Sequence, residues 1–432
     1  MDIIHDFLNQ FKTTFTRPSF HHFARLVTGF AQITGPKAVT EVNDSANWSR
    51  HHSTIYDFFR KGKWQHQHIT QDLMLWYLRT CKRPEAPLLL CIDDTKNFKP
   101  HARVIEKLCW HAEHHKRVRA NVKTEDGQEL SAFGVVGEKG HCWVTLGVLH
   151  EEKTGWCFMP MNASIFVREK HTEVFKTKHD LALELVEQLP YSKDALLVGD
   201  NFYGTQNFVN KLKCPVLSLL KSTAVGYRPL TAPMDKTYRG RPKRYGEKVQ
   251  LATFLDNPER LTPTEVFVYG KNHKLEYACF EGLLKGHTRP VKVILVKGLR
   301  KANFLLFTND LKLTPEQMIA YYGARFQIEL GFRELKQELG AFNYRLRSET
   351  SVLRYVHLAF VAYALLKFLS VKAIVKPLQT PWYKPKGRAS LKRVQQWMRD
   401  VFQSSSIFKG VSPNLFPPIN TQNHDFITLQ GS

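Results

Sequence analysis

Along the first 84 residues, apolar positions recur at steps of three and four, as in Ile3, Ile4, Phe7, Leu8 and Phe11 and again in Leu73, Met74, Trp76 and Leu78. That is the period of helices with one buried face. Thr34-Gly35-Pro36 and the polar stretch 45–49 interrupt it, so the pattern predicts a bundle of short helices. One segment, from Ser49-Arg50-His51-His52 to Phe58-Phe59-Arg60-Lys61, reads equally as the recognition helix of a helix-turn-helix unit or as an ordinary amphipathic helix with basic ends.

From Pro87 the texture changes. Leu88-Leu89-Leu90-Cys91-Ile92 is a short continuous apolar run of central-strand type that ends in Asp93-Asp94-Thr95. Further strands are predicted at 132–136, 141–149 and 195–198. The last runs through Gly199-Asp200 and Asn201-Phe202-Tyr203-Gly204 into a helix over 205–212. Carboxylates at the carboxyl ends of buried strands are where α/β sheets place their chemistry. Residues 221–300 break the strand–helix rhythm with short alternating runs at 264–269 and 291–296, which predicts a β-rich insertion. After a strand at 302–308, Thr314-Pro315-Glu316 opens a helix that runs to about residue 339, with Gly323 and Gly331 as its weak points. Amphipathic helices with outward cations are predicted near 350–375 and 390–403, followed by a polar tail.

Charge narrows the choice of partner. The 432 residues carry 62 Lys plus Arg against 39 Asp plus Glu, a formal net charge of +23, and 43% of them are hydrophobic. The chain can therefore bury a core, which excludes wholesale disorder, and its cations point to a polyanion, nucleic acid before a membrane surface. Residues 221–250 hold eight Lys or Arg against two acids, including Arg239-Gly240-Arg241-Pro242-Lys243-Arg244. Arg239, Arg241 and Lys243 are candidate DNA contacts, either in an A·T minor groove or on phosphates alone. A second basic stretch, 341–400, holds twelve Lys or Arg and two acids. The seven cysteines are odd in number and form no C-x-x-C pair, as expected of reduced thiols. The N-terminus lacks a signal-type apolar stretch, and the longest apolar run, 356–366, contains His357. No segment long enough to span a bilayer is predicted, and a cytoplasmic location is expected, plausible for a bacterial protein that associates with the nucleoid when on DNA.

Phosphodiester chemistry needs hard cations held by carboxylate oxygens, and three carboxylates from separate elements suffice. Asp94, Asp200 and an acid on the long helix would supply them. In YGARFQIELGFRELK, the residues Tyr322, Arg325, Glu329 and Lys336 fall on one stripe about 60° wide at about 100° per residue. A phenol, a guanidinium, a carboxylate and an ammonium thus share a face, as in a metal-binding acid flanked by phosphate-holding cations. A solvated ion-pair stripe is the plainer reading of the same spacing.

This spacing, Tyr-x2-Arg-x3-Glu-x6-Lys, preceded by strands ending Ile92-Asp93-Asp94-Thr95 and Val198-Gly199-Asp200, resembles the DDE transposases of bacterial insertion sequences, in the branch with a Y-R-E-K signature. The resemblance covers about residues 85–345. It implies an α/β fold with an RNase H-like mixed sheet flanked by helices, divided as 1–84 helical DNA-binding region, 85–220 and 301–345 catalytic core, 221–300 basic β-rich insertion and 346–432 basic helical region with tail. It further implies a catalytic, metal-binding triad of Asp94, Asp200 and Glu329 holding two Mg²⁺ ions, with Mn²⁺ as the alternative. Tyr322, Arg325 and Lys336 would grip DNA, and Phe304, where the best-known relatives carry Trp, would stack on a flipped base. The implied activity is cleavage at transposon terminal inverted repeats and transfer of the 3′ ends into target DNA. The implied partners are both duplexes and a second copy of the chain on DNA, with no membrane. Strand parity alone leaves Asp93 and Asp94 both open for the first metal position; the acid-Asp-Thr pattern of the resemblance favours Asp94.

Other chemistries fit less well. A dehalogenase-type phosphatase needs D-x-D, whereas these acids are adjacent, and no G-x-S-x-G elbow is present. Trp110-His111-Ala112-Glu113-His114-His115 lacks a metal-site spacing and reads as a cationic surface segment. A noncatalytic transposon-derived DNA-binding protein and an RNase H-like nuclease that cuts without joining remain the alternatives.

Overall fold

A computed structural model describes residues 2–33, 38–45, 52–123, 129–153, 155–230, 244–382 and 387–404. Five helices come first: α1 (Asp2–Asn9), α2 (Arg17–Gln32), α3 (Val39–Ser45), α4 (His52–Lys61) and α5 (His66–Thr80). Their apolar stripes meet in an aromatic centre where Phe7, Phe11, Phe23, Phe58 and Trp64 are all buried. The candidate recognition segment forms α4 from His52 onward. It buries Ile55, Phe58 and Phe59, and its terminal Arg60 and Lys61 both pair with Asp57.

The central sheet begins with β1 (Leu88–Phe98), β2 (Cys109–Lys123), β3 (Glu129–Glu152) and β4 (Gly155–Phe166). After helix α6 (Lys178–Glu187) come β5 (Ala195–Val198), the short α7 (Gln206–Val209) and β6 (Val216–Leu220). Strand β1 pairs antiparallel with β3 and parallel with β5; β3 pairs antiparallel with β4, and β5 parallel with β6. The resulting order β4-β3-β1-β5-β6 is that of an RNase H-like mixed sheet. Leu88 to Ile92 and all of β5 are buried, as continuous apolar runs on doubly covered central strands must be.

The sheet continues beyond β6. Strands β7 (Val225–Tyr227) and β8 (Lys248–Gln250), helix α8 (Leu251–Leu255), and strands β9 (Thr262–Val268), β10 (Lys271–Leu284), β11 (Val291–Lys297) and β12 (Phe304–Thr308) follow. Strand β12 pairs antiparallel with β6 and hands the sheet on through β11 and β10, for twelve strands in all. Helices α9 (Pro315–Ala324), α10 (Phe326–Gln337), α11 (Glu349–Val371) and α12 (Leu391–Ser404) complete the order.

Several expectations change here. The strands predicted at 132–136 and 141–149 are one strand, β3, and the segment read as a cationic surface stretch around Trp110 lies in β2, with Trp110 exposed. The helix expected over 205–212 is a single turn. The long helix after Thr314 is two: at Arg325 and Ile328 the backbone bonds tighten to Tyr322 O and Arg325 O, an i to i−3 step that ends α9 and starts α10. Both glycines read as weak points mark close approaches. A Cβ on Gly323 would lie 2.1 Å from Val268 Cγ1, and one on Gly331 would lie 2.6 Å from Phe158 Cδ1.

Helix α11 is not amphipathic. It is buried nearly from end to end and sits between β4 and helices α2, α4 and α5. Over 23 residues it is long and apolar enough to cross a bilayer, contrary to the sequence expectation, but 94% of its apolar window is buried inside the fold. Its cations point inward because each has partners. Arg354 donates to Phe59 O at 2.7 Å, Gly62 O at 2.8 Å and Trp64 O, which satisfies carbonyls at the end of α4. Lys367 Nζ lies 2.6 Å from Glu334 of α10, whose carboxylate also accepts from Tyr363 at 2.5 Å.

Candidate active site

The acid-bearing ends of β1 and β5 lie side by side. Cys91 and Val198 are the last paired residues of the two parallel strands, and Asp93 and Asp200 each follow their strand's member of that pair by two residues. Alternation then turns Asp93 and Asp94 to opposite faces of β1.

On one face stands Arg325, at the junction of α9 and α10. Its Nη1 donates to Asp93 Oδ2 and its Nη2 to Glu329 Oε1, both at 2.9 Å. The pairing sits at the tightened step between the helices, where Arg325 keeps helical dihedrals (φ −51°, ψ −33°) while its side chain reaches back to the sheet. Burial pushes the Asp93 carboxyl up to about 6, against the opposing pull of Arg325, with Asp200 and Asp94 adding to the rise. Tyr322 is buried at 3% exposure, and burial raises its pKa. Arg325 and Arg300 each stand 5.8 Å from its ring centroid. Arg300 also caps the ring of half-buried Phe304 at 4.7 Å.

On the other face Asp94 Oδ2 is 2.7 Å from Nζ of Lys178, the first residue of α6. Thr177 caps this helix in a capping box with Asp180. The Lys178 ammonium passes between Phe166 and Phe202 at 5.5 and 5.8 Å from their centroids. Burial works against its charge, but the neighbouring Cys142 and Asp94 outweigh that and hold its pKa above the ordinary lysine value. Asp200 Oδ1 accepts from the backbone N–H of Phe202 at 3.0 Å and of Tyr203 at 3.4 Å, which fixes the turn after β5. Lys336 donates to Lys96 O at 2.8 Å, farther along β1.

The structure thus joins Asp93, Arg325, Glu329 and Tyr322 directly, sets Asp200 beside them, and gives Asp94 a separate partner. Lys178 and Arg300 were missed in the sequence. The Thr-Lys-His-Asp capping pattern was the available signal for the first; the second carries none. Arg239, Arg241 and Lys243 lie outside the described residues.

Whether a hard cation fits turns on the donors and on their field. The hydroxyl of fully buried Tyr203 has no hydrogen-bond partner, and burial raises its pKa well above the ordinary value, with Asp94, Asp93 and Asp200 adding to the rise. Asp94, Asp93 and Asp200 thus all lie near that hydroxyl, and carboxylate oxygens are the ligands Mg²⁺ takes. Among the described residues no three His, Cys, Asp or Glu side chains stand close enough to hold an ion as arranged. One oxygen of Asp93 and one of Asp94 are taken up by Arg325 and Lys178. The donor set fits in kind, with Asp93 and Asp94 each paired to a cation as arranged.

Residues 7–269 match the family described as DDE superfamily endonuclease. The chain belongs to that family. In this DDE superfamily endonuclease the matched span contains Asp93, Asp94 and Asp200 and ends before α9, so Tyr322, Arg325, Glu329 and Lys336 lie beyond it. Among solved structures the chain is similar to a piggyBac transposase synaptic complex with hairpin DNA, at 10% identity and a TM-score of 0.37, over 95% of this chain and 78% of that one. No curated protein matches it.

Proposed function

We propose that this endonuclease is a DNA transposase of the Y-R-E-K type, acting at the terminal inverted repeats of its element and transferring the 3′ ends into target DNA. The observation that carries the reading is the pair of hydrogen bonds that Arg325 donates. One guanidinium bonded at once to Asp93 at the end of β1 and to Glu329 on α10 gathers a strand acid and a helix acid around a phosphate-binding group.

In this reading Asp94, Asp200 and Glu329 would hold Mg²⁺, which would supply an acidified water and charge neutralisation at the reacting phosphate. The chain's own side chains do the rest. Arg325 and Lys336 neutralise and orient the backbone phosphate beside the carboxylates. Buried Tyr322 holds the Arg325 guanidinium in place by its ring, and Arg300 presents a second guanidinium over Phe304. Phe304 is the candidate stacking face for a displaced base, and residues 221–300 form the insertion between the second aspartate and the glutamate. Two copies act on DNA together, one at each end.

Strand transfer separates this reading from its alternatives. A pre-cut terminal-repeat duplex with a free 3′ hydroxyl, mixed with plasmid, protein and Mg²⁺, is expected to become covalently joined to the plasmid. Cutting of an uncut repeat without any joining would identify a nuclease; binding with neither would identify a noncatalytic DNA-binding protein.

A further inference from the structure

A single exposed phenyl ring is ordinary on a protein surface. On the Asp94 side of the site, however, two of them come from separate segments and share one cation. Phe202, in the turn after β5, is 43% exposed, and Phe175, between β4 and α6, is 40% exposed. Phe175 lies edge-on to Phe166 with ring centroids 6.4 Å apart. The Lys178 ammonium stands 5.5 Å from the Phe166 centroid and 5.8 Å from that of Phe202. Phe175, Phe166, Lys178 and Phe202 thus form one connected shelf of rings around an ammonium.

The shelf is held in place and abuts the carboxylates. His179 stacks against Phe202 at 4.4 Å and Phe208 at 5.2 Å between centroids, and its Nε2 donates to Phe202 O at 2.8 Å. The Phe202 N–H donates to Asp200 Oδ1 at 3.0 Å, and Lys178 reaches Asp94 Oδ2 at 2.7 Å. Arg325, Arg300 and Phe304 gather on the Asp93 side instead. The shelf is therefore separate from Phe304 and lies across β1 from it.

Its field suits an anion. Burial, and then Arg168, push the nearby His111 down to about 4, with Lys96 and Lys178 adding and the Gly140 backbone opposing. Three cations thus gather at this edge of the site. Exposed ring surface beside cations is the combination that takes unpaired nucleotides, whose bases stack on the rings while the cations hold the backbone. A duplex base pair offers no free face of that kind, whereas a strand end released at the carboxylates does.

We propose that Phe202 and Phe175 form a stacking site for unpaired bases of single-stranded DNA next to the cleavage point. The proposal rests on the reading of the chain as acting on DNA, but its test does not require cleavage. Full-length wild type, Phe202→Ala, Phe202→Trp and Phe175→Ala are titrated in EDTA with a labelled oligothymidylate about 12 nucleotides long and with a duplex of random sequence. The expected result is single-strand binding weakened about 10-fold or more in Phe202→Ala, weakened in the same direction in Phe175→Ala, and retained in Phe202→Trp, with duplex affinity unchanged throughout. If Phe202→Ala unfolds early on heating, Phe202→Leu, which keeps an apolar side chain without a stacking face, is titrated in its place with the same loss expected. Equal single-strand affinity in wild type and these variants would overturn the shelf. So would an equal loss for single strand and duplex, or a loss that Phe202→Trp does not restore. If the wild type neither cuts nor joins DNA while the selective loss persists, the transposase reading falls and the shelf stands. If it cuts and joins while the variants bind single strands as well as the wild type, the shelf falls alone.

Discussion

Arg325 and Asp93 lie 232 positions apart in the chain and meet at 2.9 Å, side chains 15% and 19% exposed, at the point where α9 gives way to α10. With its second bond, to Glu329, Arg325 ties α10 to the strand that carries Asp93 and Asp94. Arg325→Ala would leave the Asp93 carboxyl buried with its main counter-charge gone. The expected cost is about 2–3 kcal/mol at neutral pH, read from the denaturant midpoint. Arg325→Lys recovers only part of it, because an ammonium cannot make both bonds of the fork. The exposed pair of Arg60 with Asp57 supplies the contrast: Arg60→Ala should leave the midpoint unmoved.

Acid should unfold this protein early. His141 accepts at Nδ1 from Tyr344 and donates from Nε2 to Glu106 O at 2.8 Å; His357 donates from Nδ1 to Leu353 O at 2.7 Å. Both rings are fully buried, and burial pushes each down to about 4 from 6.5. Between these values the unfolded chain takes up protons that the folded chain refuses. The stability these rings contribute is present above pH 6.5 and is lost as pH falls towards 4. Each should cost up to about 1.4 kcal/mol per pH unit in that window. Thermal unfolding at pH 7 and pH 5 measures it, and a flat midpoint would contradict the assignment.

Arg354 ties the helical N-terminal region to the central helix. Its guanidinium serves three carbonyls, so Arg354→Ala strips that donor from Gly62 O and Trp64 O and leaves Phe59 O with only the Ser351 hydroxyl at 3.4 Å. A loss of about 3 kcal/mol is expected. Protease cleavage between α4 and α5 should accelerate at the same time, which distinguishes local release from a uniform loss.

The contact of Gly323 with Val268 gives a reciprocal test. Gly323→Ala alone should destabilise by about 1–3 kcal/mol through overpacking, and Val268→Ala made with it should recover part of that. A strictly additive pair would mean that α9 shifts freely on β9.

Much of this site was legible in the sequence. The runs Leu88-Leu89-Leu90-Cys91-Ile92 and 195–198 read as central strands because burial on both faces leaves nothing else to read, and their aspartates follow directly. Thr314-Pro315 marked the start of α9 by its cap. Charge misled elsewhere. The cations of β2 hid a strand, because the charged run 113–119 shows no apolar alternation. Arg354, His357 and Lys367 made α11 look amphipathic, although their partners lie in β4, α4 and α10, where local pattern does not reach. The tightened step at Arg325 was unreadable because no proline or other breaker marks it, and its side-chain partner Asp93 is distant in sequence. Parity left Asp93 and Asp94 both open, and the structure gives each its own cation.

The most direct test is cleavage of a plasmid carrying the element's terminal repeat, with and without Mg²⁺ or Mn²⁺. It compares wild type with Asp94→Asn, Asp200→Asn, Glu329→Gln and Asp93→Asn. Cutting at the repeat boundary that needs the metal, and that falls at least about 100-fold in the first three variants while duplex binding persists, is the predicted result. Asp93→Asn should retain cutting. Cleavage without metal, or at the wild-type rate in Glu329→Gln, would contradict the assignment of these acids.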